Sequence, residues 1–210
     1  MDIRYSEMIG WYRRRFDGDL RILDSLSPKQ IQSKQWVVKE LSKVIVNFSY
    51  DFECWLLGGW HGYPLVDYLI NSECGEYITG YMNLDMDAQS TTTYWKYLQV
   101  FGKVGDSAPF TNTVEGSLNE HIGSNKNTLI INCSTEHMKN IPDMINPNSI
   151  NKRSLFVLQS NDLFDEPDHY NCVNSEEELI ENNQLTTVYF KGSLKFDNYT
   201  RFMVIGSYND

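Results

Sequence analysis

The sequence predicts one α/β domain built on a mostly parallel sheet, with helices on both faces and an antiparallel hairpin at the carboxy end. Three observations predict it. Short apolar runs recur along the chain and each ends in a small or polar residue. The segments between the first four runs are long enough for crossover helices. The last two strand-like stretches are separated by residues without a helical period. With 210 residues and 41% hydrophobic content, the chain can bury one full core and is short for two.

Residues 1 to about 50 read as helical. Ser27-Pro28 is a start signal, a capping side chain followed by a proline at the first helical position. Ile31, Val38, Leu41, Ile45 and Phe48 then fall on one broad apolar face. The texture changes beyond them. Cys54-Trp55-Leu56-Leu57 runs into Gly58, Tyr77 to Leu84 into Asp85, Thr128-Leu129-Ile130-Ile131 into Asn132, and Leu155-Phe156-Val157-Leu158 into Gln159. Runs this short are too brief for core helices and suit strands buried on both faces. Pro64 through Ile70 and Thr93 to Phe101 are expected to be helical, and Thr111 to Val114 is a weaker β-branched strand. Thr186 to Phe190 and Phe202 to Ile205 are expected to pair antiparallel, because Lys191 to Arg201 lacks the pattern of a crossover helix.

Composition narrows the function classes. A formal charge of -10 works against broad attachment to phosphate backbones, so a nucleic-acid partner is not expected. The dense basic run Arg13-Arg14-Arg15 is either a solvated helix face or a docking site for an acidic partner. No stretch approaches the roughly 18 apolar residues that span a bilayer, and Met1 to Arg15 lacks the apolar centre of a signal peptide; the expectation is a cytoplasmic protein without membrane attachment. Cys54, Cys74, Cys133 and Cys172 are scattered and read as buried thiols.

In an open parallel sheet, ligands bind beyond the carboxyl ends of the strands. The first such end is Gly58-Gly59-Trp60-His61-Gly62, where glycines allow a tight turn and let backbone N–H groups approach a ligand. A glycine turn can also be steric in origin. The second end, Asn83-Leu84-Asp85-Met86-Asp87, adds an acid about twenty residues past the last glycine, the distance at which a carboxylate meets ribose hydroxyls in a nucleotide site. Trp60 suits packing under the turn, and His61 is open between a ligand contact and a surface position.

On these residues the chain resembles the class I, Rossmann-like S-adenosylmethionine-dependent methyltransferases, over roughly residues 35 to 210. The resemblance rests on Gly58-Gly59-Trp60-His61-Gly62, on Leu84-Asp85-Met86-Asp87, on the strand end Asn132-Cys133-Ser134-Thr135-Glu136-His137, and on the terminal pair ending Tyr199 to Gly206. It implies a seven-stranded sheet with the last strand antiparallel, and a division into a helical extension over the cleft (1–50) and the methyltransferase domain proper (51–210). It implies S-adenosylmethionine as cofactor, with Gly58, Gly59, Trp60 and Gly62 along its methionine part, Asp85 and secondarily Asp87 on the ribose, and Ser117 or Asn119 near the adenine. The family commonly places an acid two positions before the first glycine, where this chain has Leu56.

Methyl transfer needs an acceptor held in line and sometimes a base. Asn132, Glu136 and His137 are the catalytic candidates, Asn132 to orient by hydrogen bonds and Glu136 or His137 to accept a proton. The alternative is that Glu136 and His137 begin a helix capped by Ser134 or Thr135. Gln159 and Asn161 are expected to face the cleft from the next strand end; Asp165, Glu166, Asp168 and His169 follow, and the acids among them are expected to form a solvated loop. Asp165, Asp168 and His169 have no recognised ligand spacing, so a metal is only weakly signalled and no metal ligand is assigned. The leading expectation is a methyltransferase acting on a small molecule or a protein side chain. Its rivals are an inactive binding or assembly protein on the same fold, and a same-fold enzyme that cleaves the cofactor or transfers its aminopropyl group.

Overall fold

The computed structural model describes residues 21–85, 87 and 126–208. Arg13-Arg14-Arg15, the expected helix at Thr93 to Phe101, the expected strand at Thr111 to Val114, and Ser117 and Asn119 lie outside the described residues. No helix among the described residues is long and apolar enough to cross a membrane.

Helix α1 spans Pro28–Ile45 and begins where the sequence signals it: Ser27 is extended and its side chain accepts from the Gln30 N–H. Val37, Val38, Leu41, Val44 and Ile45 form its buried stripe, while Ile31 and Phe48 are only half-buried. Strand β1 (Phe52–Leu57) and helix α2 (Leu65–Ile70) follow, then β2 (Ile78–Leu84). After the undescribed stretch come β3 (Thr128–Asn132), the short helix α3 (Ile141–Met144), β4 (Leu155–Asn161) and α4 (Glu176–Asn182). The hairpin β5 (Thr187–Lys195) and β6 (Thr200–Ser207) closes the chain.

The six described strands form one sheet in the order β2-β1-β3-β4-β6-β5. β1 runs parallel to β2 and β3, and β3 parallel to β4; β6 is antiparallel to both β4 and β5. Alternation along each central strand sends neighbouring residues to opposite faces. Cys54, Leu56, Leu129, Ile131, Val157 and Met203 pack with α1 and α2. Trp55, Leu57, Ile130, Phe156, Leu158 and Val204 pack on the other side with Ile141, Val173 and Leu179. Both faces are therefore covered, which is why the central runs read as unbroken apolar stretches, and each fully buried Leu, Ile or Phe contributes roughly 1.5–3 kcal/mol. The mostly parallel sheet, the helices on both faces and the terminal hairpin are as expected.

The order has one functional consequence. From β1 the chain goes outward to β2, then returns to lay β3 on the opposite side of β1, so the carboxyl ends of β1 and β3 sit at the point where the order reverses. One boundary departs from the sequence reading. β4 continues through Gln159, Ser160 and Asn161, paired with Met203, Phe202 and Arg201, and all three polar residues are buried. They stay inside because distant groups satisfy them: Ser33 Oγ donates to Gln159 Oε1 at 2.9 Å and Asn161 Nδ2 to Glu136 Oε1 at 2.7 Å.

Candidate active site

The turn after β1 is wound tightly by left-handed backbone at Gly58 (φ 59), Trp60 (φ 48) and Gly62 (φ 66). Gly58 N–H donates to Leu84 O at 2.9 Å, and Gly62 N–H to Gly59 O at 2.6 Å. Asn83 supports the loop from below, its Nδ2 donating to Trp60 O at 2.7 Å. A Cβ on Gly59 would lie 2.2 Å from Asn83 Oδ1, so only glycine fits there. Asp85 closes the loop from the β2 side: Oδ2 accepts from Trp60 N–H at 2.6 Å and Oδ1 from Asp87 N–H at 2.9 Å. The glycine turn and the strand-end acid thus meet at one place. A carboxylate offers about four lone-pair sites, so Asp85 keeps acceptor capacity beyond these two bonds.

His61 is 2% exposed and lies against the Trp60 ring, so of its two readings the surface position is excluded by the tight turn that folds it under the loop. Beneath the loop is a hollow of about 40 Å³ lined by Lys34, Leu56, Gly58, Gly59, Gly62 and Cys133 among others. That is well below the roughly 300 Å³ at which ligand pockets begin. Met138 borders the same turn, its Sδ 3.0 Å from where a Cβ on Gly58 would lie. Leu56 gives the hollow an apolar wall. The ionisable amine lining the hollow is Lys34, whose pKa is lowered by burial and further by Arg201, with Cys133 and Glu136 opposing. Sequence reading passed over Lys34. It falls three residues after Ile31 and four before Val38, on the apolar face of α1, and a lone lysine at that spacing was the available signal.

At the end of β3, Asn132 is fully buried and its Oδ1 accepts from Ser134 N–H at 2.9 Å, shaping the turn. Thr135–His137 forms a single 3-10 turn, and Ser134 gives it no side-chain cap. Glu136 points inward at 3% exposure: its Oε1 accepts from Asn161 and lies 3.5 Å from Arg201 Nη2, while Arg201 Nη1 donates to Cys133 O at 2.9 Å. His137 points outward. The segment after β4 folds back onto this turn, with Tyr170 and Asn171 N–H groups donating to Glu136 O and the Tyr170 hydroxyl to His137 O. This brings the His169 ring edge-on to His137, with centroids 4.5 Å apart. His169 is half-buried beside Glu136 and His137, while the acids Asp165, Glu166 and Asp168 are exposed as expected.

No family model matches the sequence, and no curated protein matches it. Solved structures do match in fold. A carbon methyltransferase, CurJ, superposes with a TM-score of 0.64 at 13% identity, over 95% of this chain and 61% of that one. The magnesium protoporphyrin IX methyltransferase ChlM from Synechocystis, solved with bound S-adenosylmethionine, gives 0.56 at 11% identity, over 94% of this chain and 88% of that one. The N-methyltransferase NodS from Bradyrhizobium japonicum gives 0.56 at 6% identity, over 89% of this chain and 99% of that one. The chain spans about three-fifths of the length of CurJ. At such identities the likeness is one of fold: this chain has the fold of the class I S-adenosylmethionine-dependent methyltransferases, whose members here act on varied substrates.

Proposed function

We infer that this chain is an S-adenosylmethionine-dependent methyltransferase acting on a small-molecule or protein acceptor. One observation carries the reading: the glycine turn and Asp85 meet, through the 2.6 Å bond at Trp60, where the strand order reverses. Asp85, with Asp87 beside it, receives the ribose hydroxyls. Gly58, Gly59, Trp60 and Gly62 present backbone to the methionine part, and Ser117 or Asn119 serves the adenine. Lys34, inside the hollow, suits the carboxylate of the amino-acid end. The cofactor supplies an electrophilic methyl group on a sulfonium.

The acceptor approaches over the turn that follows β3. His137 is the exposed group there, and its Nδ1 lies 2.9 Å from Asp168 O. A carbonyl only accepts, so Nδ1 carries the proton and Nε2 is left to take one from the acceptor. Asn132 and Glu136 act through the shape of the turn, Asn132 by its bond to Ser134 and Glu136 by its pairing with Arg201 and Asn161. The hollow must widen for the cofactor, and swinging the unbranched Met138 side chain away from Gly58 is the shortest route.

Calorimetry with S-adenosylhomocysteine tests this reading. Saturable binding at one site that Asp85→Ala weakens is expected; no heat near millimolar ligand contradicts it. A second reading, a binding or assembly protein that keeps the fold without the chemistry, is favoured by Leu56 and by Met138 against Gly58. It predicts that absence of heat.

A further inference from the structure

We propose that Glu136, His137 and His169 form a binding site for one divalent transition-metal ion, with Zn²⁺ the best match. One ligand atom from each of the three side chains lies within 4.8 Å of the others. A tetrahedral ion with bonds of about 2 Å holds its ligand atoms roughly 3.3 Å apart, so the groups close by at most about 1.5 Å. Two imidazoles and a carboxylate are a donor set that Zn²⁺ accepts, with a fourth position left for an oxygen ligand.

Two independent observations mark this as more than a chance cluster. The first is the orphaned oxygen. Glu136 is 3% exposed, its Oε1 is used by Asn161 and Arg201, and its Oε2 has no hydrogen-bond partner among the described residues. A buried carboxylate oxygen left so is costly, and a cation relieves it. The second is the state of the two rings. His137 Nδ1 lies 2.9 Å from Asp168 O and His169 Nδ1 lies 3.1 Å from Leu163 O. Both carbonyls can only accept, so both rings carry their proton on Nδ1 and present the Nε2 lone pair. Metal-binding histidines are held in this way, by a backbone acceptor on the far nitrogen.

The surroundings hold the three ligands in place. Leu163 N–H donates to Asn161 Oδ1 at 2.9 Å, and Asn161 also holds Glu136, so one side chain ties the loop bearing His169 to the carboxylate. Cys172 Sγ lies 3.7 Å from His169 Nδ1, the ring nitrogen held by Leu163 O, and Cys172 is not among the three residues whose ligand atoms converge. His137 is exposed, so the fourth position opens to solvent, as in sites where an ion activates bound water or polarises a substrate oxygen. With an ion on Nε2, His137 would not accept a proton itself; a water on the fourth position, having released a proton to solvent, would serve as the base instead. The site stands on its own geometry, whether or not methyl transfer occurs.

The test uses the full chain stripped with a chelator, titrated with Zn²⁺ by calorimetry and with Co²⁺ by visible absorption. One ion per chain is expected, with a tetrahedral cobalt spectrum lacking sulfur-to-metal charge transfer. His137→Ala and His169→Ala should each lower Zn²⁺ affinity by at least about tenfold. Metal-free His137→Ala should keep the wild-type circular dichroism and melting point, since that side chain is exposed. Binding that survives the double variant His137→Ala/His169→Ala, a thiolate charge-transfer band, or no heat at millimolar Zn²⁺ would each overturn the proposal.

Discussion

The Asp85 carboxylate accepts a 2.6 Å hydrogen bond from the backbone N–H of Trp60, a residue held at φ 48. An end of β2 thereby stabilises an unfavourable backbone conformation after β1. Removing the carboxylate leaves the Trp60 and Asp87 N–H groups without this acceptor. Asp85→Ala should destabilise the fold by about 1–3 kcal/mol in urea unfolding, with Asp85→Asn losing less because its amide oxygen still accepts. An unchanged midpoint for Asp85→Ala would show that the bond contributes nothing.

Gly59 and Asn83 form a steric pair. The Cβ of Gly59→Ala would lie 2.2 Å from Asn83 Oδ1, and moving Asn83 breaks its 2.7 Å bond to Trp60 O. Gly59→Ala should cost roughly 1–3 kcal/mol. In the Gly59→Ala/Asn83→Ala double variant the cost should fall well short of the sum of the two single changes. A double-mutant cycle that is additive would contradict the pairing.

Lys34 gives a pH signature. Its pKa lies below the ordinary 10.5, chiefly through burial. Between the folded and the ordinary value, the unfolded chain holds the extra proton, so this group makes stability rise with pH there; below the folded value its penalty is full. Lys34→Met should therefore be more stable than the parent at neutral pH, with the difference shrinking as pH climbs toward 10.5. Cys54 and Tyr81, whose pKa values burial raises, act in the opposite sense in both proteins and cancel in the comparison. Denaturant midpoints across the alkaline range measure it, and a constant difference would contradict the assignment.

Arg201 and Glu136 are 5% and 3% exposed. Arg201→Met leaves the carboxylate buried with Asn161 as its remaining side-chain donor, and should cost about 3–5 kcal/mol; the double change Arg201→Met/Glu136→Gln should recover much of it. Thermal or urea melts decide this. Equal losses in the single and double variants would show that the pair carries no coupling.

The parallel strands were legible because both faces of the sheet are covered, which leaves Trp55 to Leu57 or Leu129 to Ile131 as unbroken apolar runs. Ser27-Pro28 marked the first turn of α1 for an equally local reason. The meeting of the glycine turn with Asp85 was also readable, since strand ends and spacing place them. The polar interior was not. Gln159, Asn161 and Arg201 are buried because Ser33, Glu136 and Cys133 satisfy them from far along the chain, and no local pattern announces such partners. The place of His169 is hidden for the same reason: the fold-back that sets it beside His137 depends on tertiary hydrogen bonds to Glu136.

On the proposed function, the turn at Gly58 to Gly62 and the Asp85 carboxylate cradle one nucleoside. A crystal structure of the chain with S-adenosylhomocysteine tests this most directly. The expected result is ribose hydroxyls on Asp85, the amino-acid end along the glycine backbone toward Lys34, and the Met138 side chain displaced from Gly58. Ligand bound elsewhere, with Asp85 still turned only to Trp60 and Asp87, would contradict it.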